Sequence, residues 1–532
     1  MSAGRRQGSG AAGLACAFAC VGALSAYAQP ARAAEDAPVA TAPAEQRFVL
    51  MGLTIDGVTA YPMKELAPLY ADQLTREVAL ADLVAIAQKI TDKYRADGYF
   101  LARAVVPPQG PTPGLARIVV DEGYVGDIRV DGAAAPAVKR LLGGVTEHKP
   151  LKLSELDRRL TLATDLPGLK LKSQLEPVID DPARHVLVVH ADVRRLTGSI
   201  YLDNRGTETA GPWQAYGRLA VNSAMQAGDQ LGVSLFTVPE DPKEFSQLEL
   251  SYGMPLPTGG SLRTSASAGR ARDPSANLSG VLGNENRAAS LRVSHPLSRG
   301  RKHAVWAQLA FDANHVEQDL KTGAGYADDL RVVRAAVVAQ RQGPGRSSEG
   351  FLQFSQGLDV LGATDRPTVR LSRWDADGQF WKVNAHASHY RDLGHIAGLF
   401  VAADGQFTDD TLLASEEFAV GANPYGRAYN YAEIAGESGV AGLVELRVGW
   451  DPKLAPLTFF QAYAFADAGQ VWRRNAWPGW KDSALASAGA GVRLTVSRRA
   501  TFRLEAARPL TRTPWAAGDK DWRLFASLNA GF

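Results

Sequence analysis

Cysteine is nearly absent from this 532-residue chain, and its two cysteines, Cys16 and Cys20, both stand close to the N-terminus. Residues 11–25 form an apolar run behind two arginines, and Ala-Tyr-Ala at 26–28 is typical of a signal-peptide cleavage site. Residues 1–28 are therefore predicted to be a signal peptide, which leaves a mature chain without cysteine. That excludes a disulfide scaffold, a thiol nucleophile and a cysteine-ligated metal site.

Long apolar runs are also missing. After residue 28 no run approaches the roughly 18 residues of a transmembrane helix, so the mature chain can span a membrane only as a β-barrel. The formal net charge is only +2, and lysine and arginine are spread along the chain, which gives no indication of nucleic-acid binding. The sequence has no phosphate-binding GxxxxGK[ST] loop, no HExxH and no GxSxG elbow, and its nine histidines are scattered. The sequence therefore gives no indication of a cofactor, a metal site or an enzyme.

Two small α/β units follow a flexible lead-in that is rich in proline and alanine, residues 29–46. The first unit, residues 47–124, has the order strand, helices, strand, strand, and its helical segment places Leu83 and Ile86 on one apolar face. The second unit, residues 125–195, repeats this order, so the pair is predicted to be an internal repeat with a period of about 75 residues. The lead-in is short and proline-rich, and we expect no plug helix ahead of the first unit.

From residue 196 to the end, helical periodicity gives way to segments of about ten residues in which apolar and polar residues alternate. Roughly 16 such segments fit into residues 196–532, which predicts an all-β transmembrane barrel of antiparallel strands with an apolar outer face and a polar lumen. A soluble β-protein is the alternative reading of the alternation. The signal peptide and the number of segments favour the membrane.

The last strand carries a signal of its own. One face of its alternating pattern is apolar and ends in phenylalanine, which resembles the assembly signal of bacterial outer-membrane barrels. The residues predicted to form this signal are Trp522, Leu524, Leu528 and Phe532.

Two such repeats ahead of a barrel of this size resemble the transporter component of two-partner secretion (TpsB), the haemolysin secretion/activation (ShlB/FhaC/HecB) family. "YRADGYFLARAVVPPQ" at 94–109 is similar to the signature of that family's first polypeptide-transport-associated (POTRA) domain, and "LDNRGTETAGPW" at 202–213 resembles its first barrel strand. The resemblance implies POTRA domains at 47–124 and 125–195, the second of the ShlB type. It also implies an outer-membrane transporter that exports a partner exoprotein without nucleotide hydrolysis. Activation of a hemolysin- or adhesin-like client is part of what the resemblance implies.

Two paired motifs of the family have counterparts here. Gly426-Arg427-Ala428-Tyr429 is similar to the tip of a loop, here 412–440, that folds back into the barrel, and Phe465-Ala466-Asp467-Ala468-Gly469 is similar to a motif on a nearby strand. The resemblance implies a contact between Arg427 and Asp467 in the lumen. The alternation around Asp467 directs its carboxylate inward independently, and a carboxylate can bind a guanidinium in a bidentate fork. The residues predicted to form this latch are Arg427, Asp467, Tyr429, Phe465, Gly469 and Gly426.

Three further features of the loop follow. Tyr425, Tyr429 and Tyr431 are expected to pack the returning loop and to stack on the arginine. The family usually has glycine where this chain has Ala428, which would cost about 1 kcal/mol if that position needs a positive φ. Whether the latch serves transport or only the stability of the barrel is left open by the sequence.

As the mechanism of capture, we expect the POTRA pair to bind an extended client by adding a strand to a sheet edge. Residues 170–178 and 185–193 are the candidate edges, and the predicted client-binding residues are Leu171, Ser173, Leu175, Val186 and Val188. The implied partners are a secreted TpsA-like β-helical exoprotein, outer-membrane lipid and the barrel-assembly machinery. The alternatives are an outer-membrane assembly insertase of the same superfamily and a passive porin or channel.

Overall fold

The computed structural model describes residues 47–108, 114–206, 211–272, 281–321, 323, 325–365, 370–475 and 482–532. The predicted signal peptide and lead-in, and the expectation of no helix within that lead-in, lie outside the described residues. Within the described ranges, no helix combines the length and the apolar character needed to cross a bilayer.

The first unit is a three-stranded sheet covered by one long helix. In this sheet β2 pairs in parallel with β5, and β5 pairs antiparallel with β4. The predicted apolar face of the long helix α2 is buried against the sheet, through Leu83, Ile86, Ile90 and Tyr94. The elements are β1 (Phe48–Val49), β2 (Gly52–Asp56), α1 (Met63–Leu66), β3 (Glu77–Val78), α2 (Leu80–Ala96), β4 (Arg103–Val105) and β5 (Leu115–Asp121).

Glu122 joins the end of this sheet to the helix and to the loop after β2. Its carboxylate accepts hydrogen bonds from the backbone N–H groups of Thr59 and Ala60, at 2.7 and 2.8 Å, and from the hydroxyl of Tyr94 at 2.7 Å. The Thr59 hydroxyl is a fourth donor. Burial by itself raises the pKa of Glu122, but the hydrogen bonds from Thr59 and Tyr94 outweigh it and hold that pKa below its ordinary value.

The second unit repeats the arrangement, as predicted. Its sheet has the order β6-β8-β7, so β8 lies in the centre and pairs on both sides, whereas β7 pairs with β8 alone. Two helices cover one face of the sheet and bury Val138, Leu142, Leu156 and Ala163. The elements are β6 (Tyr124–Asp131), α3 (Ala135–Leu142), α4 (Leu153–Thr164), β7 (Leu169–Val178) and β8 (Asp181–Val193).

In the described part of the chain, 16 antiparallel strands close into one barrel, which confirms the predicted fold class. The first strand pairs with the last over Ser199–Asp203 and Ser527–Gly531, and this pairing closes the barrel. The first seven strands are β9 (Leu196–Asp203), β10 (Gln214–Asn222), β11 (Gln230–Thr237), β12 (Phe245–Pro255), β13 (Ser261–Arg272), β14 (Val281–Gly300) and β15 (His303–Leu320). The next four are β16 (Tyr326–Gly343), β17 (Arg346–Gly357), β18 (Trp381–Asp392) and β19 (Ala397–Phe407).

A short hairpin of β20 (Phe418–Val420) and β21 (Ile434–Gly436) interrupts the succession of wall strands. The barrel then continues with β22 (Ser438–Trp450), β23 (Leu457–Trp472), β24 (Asp482–Val496), β25 (Ala500–Pro509) and β26 (Arg523–Gly531). We call residues 408–437, between β19 and β22, the inward loop. It carries the hairpin, and it positions the candidate site.

Candidate functional site

The inward loop turns back into the barrel and packs against the wall formed by β22, β23 and β24. Its hairpin residues Val420 and Ile434 are buried in one cluster with Leu443 and Phe465 of the wall. The tip of the loop is buried as well, since Arg427 keeps only 4% of its surface exposed. An arginine with this little exposure needs polar partners inside the protein.

Asp467 lies under the tip and binds its backbone. The N–H of Gly426 donates to Asp467 Oδ1 at 2.8 Å, and the N–H of Arg427 donates to Oδ2 at 3.4 Å. The hydroxyl of Ser487 donates to Oδ1 at 2.6 Å. The predicted bidentate contact between the Arg427 guanidinium and Asp467 is therefore replaced by contacts to the main chain of the tip. This carboxylate therefore binds the backbone of the turn, while the guanidinium makes its hydrogen bonds elsewhere.

The guanidinium of Arg427 reaches past Asp467 to two other carboxylates. Its Nη1 donates to Glu445 Oε2 at 2.9 Å and to Glu505 Oε2 at 3.2 Å, and both glutamate side chains are fully buried. Glu505 also binds Arg205, and Glu445 also binds Arg447 at 2.7 Å and Arg493 at 2.8 Å. We call the four arginines and the carboxylates of Glu445, Glu505 and Asp467 the tip cluster.

Neither glutamate of the tip cluster is among the residues predicted from the sequence. Each stands on the polar face of an alternating segment, "LVELRVGW" for Glu445 and "ATFRLEAA" for Glu505, so the pattern directs both side chains into the lumen. The residue pattern does not show the height that each carboxylate reaches in the barrel, because strand register sets that height.

The aromatic residue that stacks on Arg427 is Phe465. Its ring centroid lies 4.3 Å from the guanidinium carbon, a geometry that gives a cation–π contact. The expected group of three tyrosines divides instead. Tyr425 and Tyr429 are buried, and the Tyr429 hydroxyl donates to the carbonyl of Ala486 at 3.1 Å, whereas Tyr431 is 46% exposed.

Two glycines allow this close fit. Gly426 has a φ of +81°, and a Cβ there would lie 2.9 Å from Leu485. A Cβ on Gly469 would lie 2.7 Å from a methyl group of Val420, so the hairpin rests directly on the wall backbone. Ala428 is fully buried and lies outside the positive-φ region, so the alanine causes no backbone strain there.

A second group of ion pairs holds the stem of the inward loop. Glu416 is buried and binds Arg334 of β16 and Lys382 of β18, each at 2.9 Å. The next residue, Glu417, binds Arg373 of the loop between β17 and β18 at 2.8 Å. These partners are not predicted from the sequence, since nothing in the residue pattern pairs a loop glutamate with a particular lumenal cation. The loop is therefore anchored at its stem as well as at its tip.

The predicted client-binding residues divide between two kinds of strand. Leu171, Ser173 and Leu175 lie on β7, whose second edge has no strand partner among the described residues. Val186 and Val188 lie on β8, which pairs with β6 on one side and β7 on the other. A strand with two neighbours has no free edge, so the assignment of Val186 and Val188 to client binding by strand addition is wrong.

The C-terminal residues surround the closing pair of strands. Trp522, Leu524 and Phe532 are exposed, whereas Leu528 is partly exposed. The N–H of Phe532 donates to the carbonyl of Gly198 at 3.0 Å, and the N–H of Gly198 donates to the carbonyl of Phe532 at 3.2 Å. Their role as an assembly signal stays a prediction.

The described residues contain no group of three or more histidine, cysteine, aspartate or glutamate side chains placed to hold a metal ion. Ion pairs and hydrogen bonds join the tip and the stem of the inward loop to the barrel wall.

Comparisons with known proteins identify the family that has this architecture. The family model described as "Haemolysin secretion/activation protein ShlB/FhaC/HecB" matches residues 184–494, and that of the "POTRA domain, ShlB-type" matches residues 48–123. The heme/hemopexin transporter protein HuxB of Haemophilus influenzae is 23% identical over 367 residues, which are 67% of this chain and 64% of HuxB. The match thus spans just under two thirds of the length of HuxB.

A second relative and a solved structure agree with this result. The outer membrane transporter CdiB of Escherichia coli is 24% identical over 507 residues, covering 89% of this chain and 80% of CdiB. The solved structure of CdiB from Escherichia coli superposes with a TM-score of 0.73 at 20% identity and covers 93% of both chains, which shows the shared fold. The family model covers more than half of the chain. This chain therefore belongs to the haemolysin secretion/activation protein (ShlB/FhaC/HecB) family, β-barrels of the outer membrane with POTRA domains on the periplasmic side.

Proposed function

We propose that this protein exports a partner exoprotein across the outer membrane, through a pore that the inward loop obstructs at rest. The observation that carries the proposal is the tip of that loop, which is seated in the barrel by polar contacts. These ion pairs and hydrogen bonds are buried, so unseating the tip requires that water or the incoming chain supply replacement partners for the charged groups. The protein transports rather than catalyses, and it uses neither nucleotide nor metal.

Capture of the client begins, on this proposal, at the free edge of β7. An extended segment of the client adds to that edge through main-chain hydrogen bonds, which give affinity with little sequence specificity. Leu171 and Leu175 pack partly against the core of the second POTRA domain, so they would hold the added strand close to an apolar surface. Ser173, which lies between them, is exposed.

The partner is a secreted β-helical exoprotein of the TpsA type. Its folding outside the cell makes the transfer directional, and its threading displaces the tip of the inward loop. Outer-membrane lipid surrounds the barrel, and the barrel-assembly machinery inserts it with the help of the C-terminal residues. We also propose the predicted division into a signal peptide (1–28), a lead-in (29–46), two POTRA domains (47–124 and 125–195) and a barrel (196–532).

Deletion of the gene tests the proposal against its alternatives. Culture medium and outer membranes of the deletion strain and of a strain complemented with the parent chain are compared by mass spectrometry. Loss of one large exoprotein from the medium, restored by the parent chain, supports export. A general fall in other barrel proteins in the membrane indicates an insertase instead, and a change confined to small-solute permeability indicates a passive channel.

Photo-crosslinking tests the site of capture. A photoreactive residue at Ser173, on the free edge, is expected to crosslink to the exoprotein during export. The same residue at Arg129, on the opposite edge of the sheet in β6, is the matched control. Crosslinks at Arg129 with none at Ser173 would move the binding site to the other edge.

A further inference from the structure

The second POTRA domain contacts the barrel through two ion pairs, one made by a residue within helix α4 and one by the residue just after it. Asp165, which follows α4, binds Arg299 in a fork, with Nε at 2.8 Å and Nη2 at 2.7 Å from its two carboxylate oxygens. Asp157, within α4, binds Arg301 at 2.6 Å. Arg299 stands near the end of β14 and Arg301 lies in the turn that follows, so the periplasmic end of one hairpin binds this part of the domain at two points.

Apolar contacts extend this interface to two more periplasmic turns. Leu162 of α4 lies against the β12–β13 turn, where a Cβ on Gly259 would be 3.1 Å from its methyl group. Leu166 lies against the β10–β11 turn in the same way, 3.1 Å from the Cβ position of Gly228. Ala227 of this turn packs into the hydrophobic core of the POTRA domain itself. The core of the domain and the rim of the barrel are therefore continuous.

The β10–β11 turn is rigid in its own right. Asp229 is fully buried, and its carboxylate accepts from the N–H groups of Ala224 and Gln226 at 2.6 and 2.9 Å and from the Tyr252 hydroxyl at 2.8 Å. A buried carboxylate with this many donors holds the turn in one conformation. The POTRA domain thus rests on a firm surface.

The covalent connection is equally constrained. Only Arg194 and Arg195 separate β8 from β9. The N–H of Arg194 donates to the carbonyl of Gly168 at 2.9 Å, and the carbonyl of Arg195 accepts from the N–H of Asn222 at 2.8 Å. A linker of two residues that are both hydrogen-bonded offers no hinge.

One part of the interface is incompletely packed. A cavity of about 180 Å³ remains between the two helices of the domain and the inner wall of the barrel, and its lining includes Leu141, Asp165, Arg263 and Trp306. Apolar packing alone therefore does not complete the contact. The ion pair of Asp165 lies at the edge of this gap and supplies a directed contact beside it.

We propose that the second POTRA domain stays locked to the barrel while a client is exported, and that Asp157, Asp165, Arg299 and Arg301 are positioning residues for export. Their effect is to hold the start of β7 at the barrel rim, where Gly168 lies against Asn222 at the end of β10. A client strand added to β7 is then brought to the lumen by a domain that keeps one position on the barrel, rather than by a domain that moves. The inference rests on the proposed export function.

A disulfide across the interface tests the lock directly. A Cβ on Gly228 would lie 3.3 Å from the Cβ of Ala137, close to the separation of about 3.8 Å in disulfides. The predicted mature chain has no other cysteine, so Ala137→Cys with Gly228→Cys can form only this bond within the chain. We expect oxidised and reduced cells to secrete the exoprotein at the same rate. Loss of secretion on oxidation, with recovery on reduction, would show that the domain must move.

The single variant Gly228→Cys controls for strain, because Gly228 has a φ of +86°. Barrel assembly is monitored by heat-modifiable mobility in every arm. If the parent chain secretes no exoprotein, the result refutes the proposed export function itself rather than the fixed position of the domain. If the parent secretes and only the oxidised variant does not, the lock fails while the function stands.

Removal of the ion pairs gives a second, independent arm. Arg299→Gln with Arg301→Gln is expected to lower secretion several-fold at unchanged barrel levels, and the oxidised Ala137→Cys/Gly228→Cys pair is expected to restore it. Arg346→Gln, at an exposed arginine that begins β17, is the matched control and is expected to secrete like the parent. Parental secretion by the double glutamine variant without the disulfide would overturn the positioning role. A defect that the disulfide leaves uncorrected would also overturn it.

Discussion

Replacing Arg427 by glutamine removes the guanidinium that joins the tip of the inward loop to the barrel wall. The parent tip cluster has four arginines and three carboxylates, so Glu445 and Glu505 keep other arginine partners in the variant. The variant loses two charge-assisted hydrogen bonds to these glutamates, at 2.9 and 3.2 Å. It also loses the hydrogen bond from Nε to the carbonyl of Pro424 at 3.3 Å and the cation–π contact with Phe465. We estimate this loss at about 3 kcal/mol, the lower end for breaking a buried ion pair.

This loss is measured best through the exposure of the tip. A difference of about 3 kcal/mol changes the ratio of unseated to seated tips about 150-fold. Ala428→Cys places a thiol at a fully buried position in a chain predicted to have no other cysteine after signal cleavage. When the tip reseats faster than it is labelled, the rate of maleimide labelling reports the unseated fraction. We expect Arg427→Gln to raise that rate by one to two orders of magnitude, up to about 150-fold.

Tyr431→Cys is the control for this assay, because the exposed position should react rapidly in both backgrounds. An unchanged labelling rate at residue 428 after Arg427→Gln would refute the role of the guanidinium in seating the tip. The structure also predicts that exchanging the charges, with Arg427→Asp and Asp467→Arg, does not restore seating. An aspartate at 427 would face Glu445 and Glu505, and an arginine at 467 could not accept the hydrogen bonds of the turn.

Three further outcomes are expected. Gly469→Ala should raise maleimide labelling at residue 428, because overpacking against Val420 costs about 1–3 kcal/mol. Adding Val420→Ala should reverse the increase, and a failure to reverse it would contradict the close contact between the two residues. Glu122→Gln should destabilise the first POTRA domain by roughly 2 kcal/mol, measured by pulse proteolysis of the full chain at neutral pH. Because the pKa of Glu122 is lowered by folding, its contribution is present above its ordinary pKa of about 4.3 and is lost as the pH falls further, so the variant should respond less to acid than the parent. Deletion of Phe532 should lower the temperature of heat-modifiable unfolding, since it removes two backbone hydrogen bonds beside the closing strands; an unchanged temperature would argue against their contribution.

The wall of the barrel could be predicted from the sequence because lipid and lumen impose a strict two-residue period. The same period directed Phe465 and Asp467 inward, and both are buried there. It could not choose among inward carboxylates, so the pairing of Arg427 was predicted with Asp467 although Glu445 and Glu505 lie closer to the guanidinium. The choice depends on the relative height of neighbouring strands, which is set by pairing over the whole barrel.

The sheet of the second POTRA domain shows the same limit. Both β7 and β8 were candidate edges, because an apolar strand can lie at the edge or in the centre of a sheet. The parallel pairing of β6 with β8 makes β8 the central strand and leaves β7 at the edge. This pairing joins segments about 60 residues apart. No local pattern contains that pairing. The ion pairs of Glu416 in the stem were missed for a related reason, since a lone glutamate in a loop carries no sign of its distant partners.

The strands of the barrel differ greatly in length, and this has a consequence for the surrounding bilayer. Strand β14 has 20 residues and β15 and β16 have 18 each, whereas β9 has 8 and β10 and β26 have 9. At about 3.3 Å per residue and a tilt of about 40°, nine residues span a height of only about 23 Å, while 18 residues span about 45 Å. The apolar band of an outer-membrane barrel is about 25 Å tall, so lipid beside the closing pair of strands has to thin by a few ångströms to match this short part of the wall. The membrane is therefore most deformed where the two ends of the barrel meet.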